Sequence, residues 1–234
     1  MIFASVLAAG SGSRMNSKIG KQYIELSGKP IFIYSLETLV KSNYFDEIII
    51  AVPEKDISFV EKEIKKYIKA KISVIAGGNS RNDTLTKIIE YIYSNNKISS
   101  SDIILTHDAA RPFIDNDIIA DNLEKAKIFS GATAGIGSTD TIAITDKSKI
   151  IDVPKRDYCY NVQTPQSFNL KKLKKYIDEL TDSQKADLTD ASKIFLINDE
   201  TVVVSKGSQN NLKITYPNDL KIAENILKNI NKNK

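Results

Sequence analysis

Apolar residues recur along this chain in two arrangements that alternate. Short runs rich in β-branched residues stand at 2–8 (IFASVLA), 47–52 (EIIIAV), 71–76 (KISVIA), 102–107 (DIILTH) and 201–205 (TVVVS). Between them, near 30–42, 56–69, 81–95 and 115–130, apolar and polar positions follow the helical period. Strands that are apolar almost throughout must be covered on both faces, so this βαβα order predicts an α/β fold, a mostly parallel sheet with helices on both faces. Ligands of such sheets bind beyond the C-terminal strand ends. The alternation breaks at about 138–160, where STDTIAITDKSKIIDVPKRDYCY reads as two extended segments around a polar DKSK turn. A lone hairpin is marginal in water, so this segment is expected to be an arm packed against a second subunit. No repeat and no Pro- or Gly-rich linker divides the chain, and residues 1–234 are expected to form one domain that includes the arm.

Composition narrows the classes. The 234 residues, 41% of them apolar, can bury a sizeable core. Lys and Arg number 33 against 29 Asp and Glu, and a net charge of +4 is too small to argue for nucleic acid. The lysines of KEIKKYIK and KKLKKYIDEL read as solvated helix faces. Cys159, the single cysteine, has no partner for a disulfide or a thiolate metal cluster, which points to a reduced, cytoplasmic protein. No stretch approaches the roughly 20 apolar residues of a spanning helix, and the first strand starts without a leader pattern. Neither a membrane nor a targeting segment is expected.

The unusual residues collect at strand ends. VLAAGSGSRM, at 6–15, is a glycine-rich turn after an apolar strand. A dinucleotide fingerprint would need a third glycine where Met15 stands and an acid ending the second strand, offered only weakly by Glu54. A P-loop would need a glycine at 15 and a hydroxyl where Gln22 follows Gly20-Lys21. What remains is either a backbone cradle for a triphosphate, with Gly10 and Gly12 admitting close approach and Arg14 and Lys21 supplying charge, or an ordinary strand-to-helix turn. In THDAARPF, Asp108 is placed to hold Mg²⁺ and Arg111 to contact an anion. His107, the only histidine, reads as a packing or hydrogen-bonding residue. GGNSRNDT, at 77–84, is a capped turn, with Asn79 or Ser80 as cap, or a base-reading turn. QTPQSF at 163–168 follows Arg156, and Lys213 in NLKIT stands among apolar neighbours and needs an anionic partner. Asp115-Asn116-Asp117 matches the loose D-x-D pattern of metal-dependent glycosyltransferases, although a helix cap with an acidic first turn explains it better.

Taken in order, VLAAGSGSRM with Lys21-Gln22, GGNSRNDT, HDAARPF, QTPQSF and NLKITYPNDL resemble the motifs of the alditol-phosphate cytidylyltransferases, from residue 2 to about 225. The resemblance implies a Rossmann-like nucleotidyltransferase fold, homodimerisation through a β-arm, CTP as substrate and a divalent cation. It implies that Ala8, Ala9, Gly10 and Gly12 wrap the CTP phosphates and that Arg14, Lys21 and Lys213 stabilise the transition state. Gly78, Asn79, Thr84 and Ala109 would read cytosine and ribose, and Asp108 would hold Mg²⁺. Arg111, Thr141, Arg156 and Thr189, with Lys213, would hold the acceptor phosphate, Thr141 and Arg156 reaching in from a partner subunit. Gly20 stands where many members have proline, and Asn79 where an aspartate is common. The family includes enzymes for ribitol 5-phosphate and for 2-C-methyl-D-erythritol 4-phosphate. QKADLTDASKIF, with one acid before Ala-Ser where the latter enzymes more often carry two, sets the expectation at ribitol 5-phosphate, hence CDP-ribitol for a cell-wall or capsular polymer. Methylerythritol phosphate, and so isoprenoid synthesis, is the alternative. A nucleotide-sugar glycosyltransferase would use Asp115 and Asp117 as metal ligands, and a non-catalytic nucleotide-binding module would need neither Lys213 nor the arm's arginine.

Overall fold

The computed structural model describes residues 1–10, 20–188 and 190–232. The chain opens with β1 (Ile2–Leu7), and a short turn of β2 (Glu25–Leu26) and β3 (Lys29–Pro30) leads into α1 (Ile31–Ser42). There follow β4 (Glu47–Val52), α2 (Ile57–Tyr67), β5 (Ser73–Ala76), α3 (Arg81–Asn95), β6 (Ile103–Asp108) and α4 (Asn116–Ile128). The second half holds β7 (Gly131–Gly137), a hairpin of β8 (Ile144–Asp146) and β9 (Lys149–Asp152), and β10 (Tyr160–Asn169). It ends with α5 (Leu170–Glu179), α6 (Asp182–Asp187), α7 (Ser192–Ile197), β11 (Val202–Lys206) and α8 (Pro217–Lys232).

Seven strands form the main sheet in the order β11-β7-β10-β6-β1-β4-β5, with β10 alone antiparallel to its neighbours. Alternation along the central strands explains why they are apolar throughout. Ala4, Val6, Ile48, Ile50 and Leu105 face one core with Leu36 of α1, Ile64 of α2 and Ile118 of α4. Phe3, Ile49, Ala51 and Ile104 face the other, against Ile88 of α3, Leu173 of α5 and Phe195 of α7. Each buried Val, Leu, Ile or Phe among these contributes about 1.5–3 kcal/mol by leaving water. The expected α/β class and the five apolar runs are all realised in the sheet.

Two further strands escaped the apolar pattern. β7 reads GATAGIG, and it starts on glycine because its neighbour leaves no room there: a Cβ on Gly131 would lie 2.6 Å from the Phe168 ring. β10 reads as polar because its buried Gln163, Thr164, Gln166 and Ser167 are hydrogen-bonded within the protein, to Ser208, Asp108, Thr133 and Asn122. The DKSK turn joins β8 and β9, with Lys147 and Ser148 both at positive φ (42° and 75°), as a two-residue hairpin turn requires. This hairpin is exposed along its whole length, including Ile144, Ile150 and Ile151. A small third cluster of Leu26, Ile31, Phe113, Ile214 and Ala223 lets α8 clamp the 211–215 segment beside β6.

Candidate active site

A cavity of about 320 Å³ opens at the C-terminal ends of β1, β5 and β6. Chain connections leave β1 toward β4 and β5 on one side, while β6 lies on the other, so the cavity sits at the switch point of the sheet. Three turns wall it: Leu7 to Gly10, Gly78 to Arg81 with Thr84, and Asp108 to Ala110; Lys21, Gln22 and Lys213 complete it. Backbone hydrogen bonds carry the sheet just past its strand ends, from Ala8 N–H to Ala51, Gly77 N–H to Val52 and Ala109 N–H to Leu7. The buried Gln22 amide donates to the Ala8 carbonyl at 2.7 Å, and so ties the far end of the first loop back to β1.

The 77–84 turn has a definite construction. Ser80 caps α3: its hydroxyl accepts from Asp83 N–H at 3.0 Å while the Asp83 carboxylate accepts from Ser80 N–H at 3.1 Å. The Thr84 hydroxyl accepts from Gly78 N–H and donates to the Ser80 carbonyl, so it holds the turn as well as lining the cavity. Side chains are barred from the preceding positions, since a Cβ on Gly77 would meet Ala9 Cβ at 2.4 Å and one on Gly78 would meet Asp83 Cβ at 2.3 Å. With Ser80 as cap, the Asn79 side chain is left over for the cavity.

Charge concentrates on Asp108. Lys213 Nζ lies 2.7 Å from Oδ2, Arg81 Nε 3.7 Å from Oδ1 and Arg111 Nε 4.0 Å from Oδ2. Burial pushes the carboxyl up, but Arg81, Lys213 and Arg111 outweigh it and hold it well below the usual carboxylate range. The anionic partner that Lys213 demanded is therefore Asp108. His107 is fully buried behind this cluster. Its Nε2–H donates to the Arg111 carbonyl at 3.0 Å, and its Nδ1 accepts from Thr164, whose hydroxyl in turn accepts from Asp108 N–H. Burial lowers its pKa to about 4, so it is neutral at pH 7 and buttresses the Asp108 turn, as expected of a structural histidine.

The remaining expected site residues divide. Gly12, Arg14 and Thr189 lie outside the described residues. Ala8, Ala9, Gly10, Lys21, Gly78, Asn79, Thr84, Asp108, Ala109 and Lys213 are brought together around the cavity. Arg111 is buried, its Nη1 donating to the Asn211 carbonyl at 2.8 Å, and it backs Asp108 without lining the cavity. Thr141 and Arg156 meet each other at the base of the arm, 3.5 Å apart and exposed, away from this chain's cavity. Asp115 caps α4 by accepting from Ile118 N–H, and Asp117 pairs with Lys206, so the D-x-D pattern is a helix start. Sequence reasoning gave Arg81 and Gln166 no role; Arg81 lay within the quoted turn, but the contact that singles it out is with Asp108, 27 residues on.

A switch-point cavity built from backbone turns, with one ionised carboxylate among cations, defines a nucleotidyltransferase-like α/β protein. Solved structures resemble it over nearly the whole of this chain. One is 4-diphosphocytidyl-2C-methyl-D-erythritol synthase from Anaerococcus prevotii DSM 20548, with a TM-score of 0.84, 29% identity, and 97% of this chain and 96% of that one covered. Another is the Francisella tularensis 2-C-methyl-D-erythritol 4-phosphate cytidylyltransferase (TM-score 0.80, 27% identity, 96% and 99% covered). The bifunctional enzyme of Campylobacter jejuni shares the fold at 24% identity and a TM-score of 0.76, over 94% of this chain and 53% of that one. The family model for 2-C-methyl-D-erythritol 4-phosphate cytidylyltransferase matches residues 2–229. The chain belongs to this family and is a CTP-dependent cytidylyltransferase.

Proposed function

We propose that the chain transfers the cytidylyl group of CTP to 2-C-methyl-D-erythritol 4-phosphate, releasing pyrophosphate, as a single-domain cytoplasmic enzyme of isoprenoid synthesis. The observation that carries the chemistry is the cavity's charge pattern: Asp108 ionised among Lys213, Arg81 and Arg111, with Lys21 on the same wall and the lone histidine neutral and buried. A phosphomonoester has a second pKa of about 6, so the attacking phosphate oxygen is already largely deprotonated at neutral pH and needs no general base. The acceptor oxygen bonds to the α-phosphorus as the bond to pyrophosphate breaks. Lys21, Lys213, Arg14 and the N–H groups of the first loop stabilise the charge that gathers there. The turn at Gly78, Asn79 and Thr84, with Ala109, receives cytosine and ribose.

The expectation of ribitol 5-phosphate gives way to its alternative, because the family model and the solved relatives carry the methylerythritol name. The one-acid stretch that suggested ribitol has a structural use: the Asp190 carboxylate accepts from the Gln166 amide and from Ser192 N–H, so counting acids there does not count acceptor contacts. Among the described residues no group of three or more His, Cys, Asp or Glu could hold a metal. The single carboxylate at Asp108 suits Mg²⁺, which keeps its waters and takes one or two protein carboxylates plus substrate phosphate oxygens. Bound there, the ion would neutralise charge on the triphosphate.

The arm supports a homodimer. Its exposed Ile144, Ile150, Ile151 and Val153 are a cost in water unless another surface covers them, and Thr141 and Arg156 at its base would then serve the second subunit's acceptor. Phosphorus-31 NMR of the enzyme with CTP and methylerythritol phosphate tests the reading. The expected spectrum gains a diphosphodiester and pyrophosphate in equal amounts; CMP with pyrophosphate and no diphosphodiester would mean hydrolysis and overturn it.

A further inference from the structure

Arg81 opens α3 at the cavity wall, and its Nε faces Asp108 Oδ1 at 3.7 Å while Lys213 takes Oδ2 at 2.7 Å. The two cations divide the carboxylate between them. In the function proposed above, on which this inference rests, Lys213 serves the phosphates and Asp108 the magnesium ion, and neither can do so while they hold each other. Released by Lys213, Asp108 keeps Arg111 at 4.0 Å, whose Nη1 is committed to the Asn211 carbonyl, and Arg81 on the opposite oxygen.

Arg81 is itself held. Its Nη2 donates to Gln166 Oε1 at 3.4 Å. Gln166 is fully buried on β10, and its Nε2 lies 2.9 and 2.8 Å from the two Asp190 oxygens and 2.9 Å from Thr133 Oγ1. A flipped amide would set its oxygen against the Asp190 carboxylate, so the acid fixes which end of Gln166 faces Arg81. Arg81 Nη1 is buried and has no hydrogen-bond partner among the described residues.

We propose that Arg81 is a positioning residue for Asp108, holding the carboxylate in place when Lys213 turns to the phosphates, and that Gln166, oriented by Asp190, locks the guanidinium for this task. The relay runs from the 190–192 turn through β10 and the first residue of α3 to the end of β6. It makes the acid of the LTDAS stretch a support of the metal site.

Mn²⁺ is the probe, titrated by electron paramagnetic resonance against the whole enzyme with CTP and without acceptor. Loss of an outer partner of a metal ligand costs about 10–100-fold in affinity, so Arg81→Met should weaken Mn²⁺ binding by that factor and lower kcat alongside. Arg81→Lys, which keeps the charge and loses the fork, should recover part of the affinity, and Gln166→Met should shift it the same way by less. The KM for the acceptor should stay within about twofold, since no transition-state or ground-state contact to it is removed. Mn²⁺ affinity unchanged in both Arg81 variants would overturn the proposal, as would a loss confined to acceptor KM. A parent enzyme that binds Mn²⁺ with CTP yet uses no methylerythritol phosphate overturns the acceptor reading and leaves the Arg81 result standing; one that binds no Mn²⁺ with CTP overturns the metal site at Asp108 and the Arg81 proposal with it.

Discussion

Lys213 shows how a residue's need can be read before its partner is known. A lysine between Leu212 and Ile214 has to find an anion, and it does so 105 residues away at Asp108. That distance is why the sequence reveals the demand and hides the answer. If Lys213 and Lys21 stabilise charge that grows only in the transition state, replacing either with alanine should lower kcat by about 10²–10³-fold. Steady-state turnover on folded protein checks this, and near-normal kcat in both variants would contradict the assignment. His107 carries a different prediction. Burial lowers its pKa from 6.5 to about 4, so between those values the unfolded chain binds the extra proton. Its contribution to stability is complete above about pH 6.5 and is lost as pH falls toward 4, with a slope of at most about 1.4 kcal/mol per pH unit. Urea midpoints should therefore fall from pH 7 to pH 5, and His107→Gln, whose amide can donate to the Arg111 carbonyl, should flatten that fall. An unchanged slope would place the acid sensitivity elsewhere.

Elements were readable where burial is two-sided and apolar, as in β1, β4 and β6, and hidden where close packing or polar pairing sets the residue. Gly131 is small because Phe168 crosses it, and Gln166 is tolerated in a sheet interior because Thr133 and Asp190 satisfy its amide. Neither fact has a local signature. The sequence of the 77–84 turn fits a cap or a binding loop, and the turn is a cap that presents a cavity wall. Ser80→Ala should cost about 1 kcal/mol of stability, as loss of an N-cap does, and should raise KM for CTP more than KM for the acceptor. Equal changes in the two would detach this turn from the nucleotide. The sequence predicts the arm as a hairpin in need of a partner, and its apolar exposure sharpens that need. Ile151→Asp should shift the chain from dimer to monomer in sedimentation equilibrium, and Arg156→Ala should raise acceptor KM while leaving the dimer intact. A monomeric parent, or a dimer indifferent to Ile151→Asp, would contradict the arm's role.

At the scale of the molecule, the order of strands and helices set the class of fold, and the C-terminal strand ends were where chemistry had to be sought. The cavity between β1, β5 and β6 gathers ten of the expected residues from five stretches of chain, while Gly12, Arg14 and Thr189 lie outside the described residues. Acceptor choice is the least readable property, because the single acid before Ala191 bears on it only through resemblance, and in the fold Asp190 serves Gln166. Pyrophosphate release from CTP, measured side by side with the two alditol phosphates, tests transfer to methylerythritol phosphate. The kcat/KM for 2-C-methyl-D-erythritol 4-phosphate should exceed that for ribitol 5-phosphate by at least about 10²-fold, a discrimination within reach of hydrogen-bonded hydroxyl recognition. A preference for ribitol 5-phosphate would contradict it.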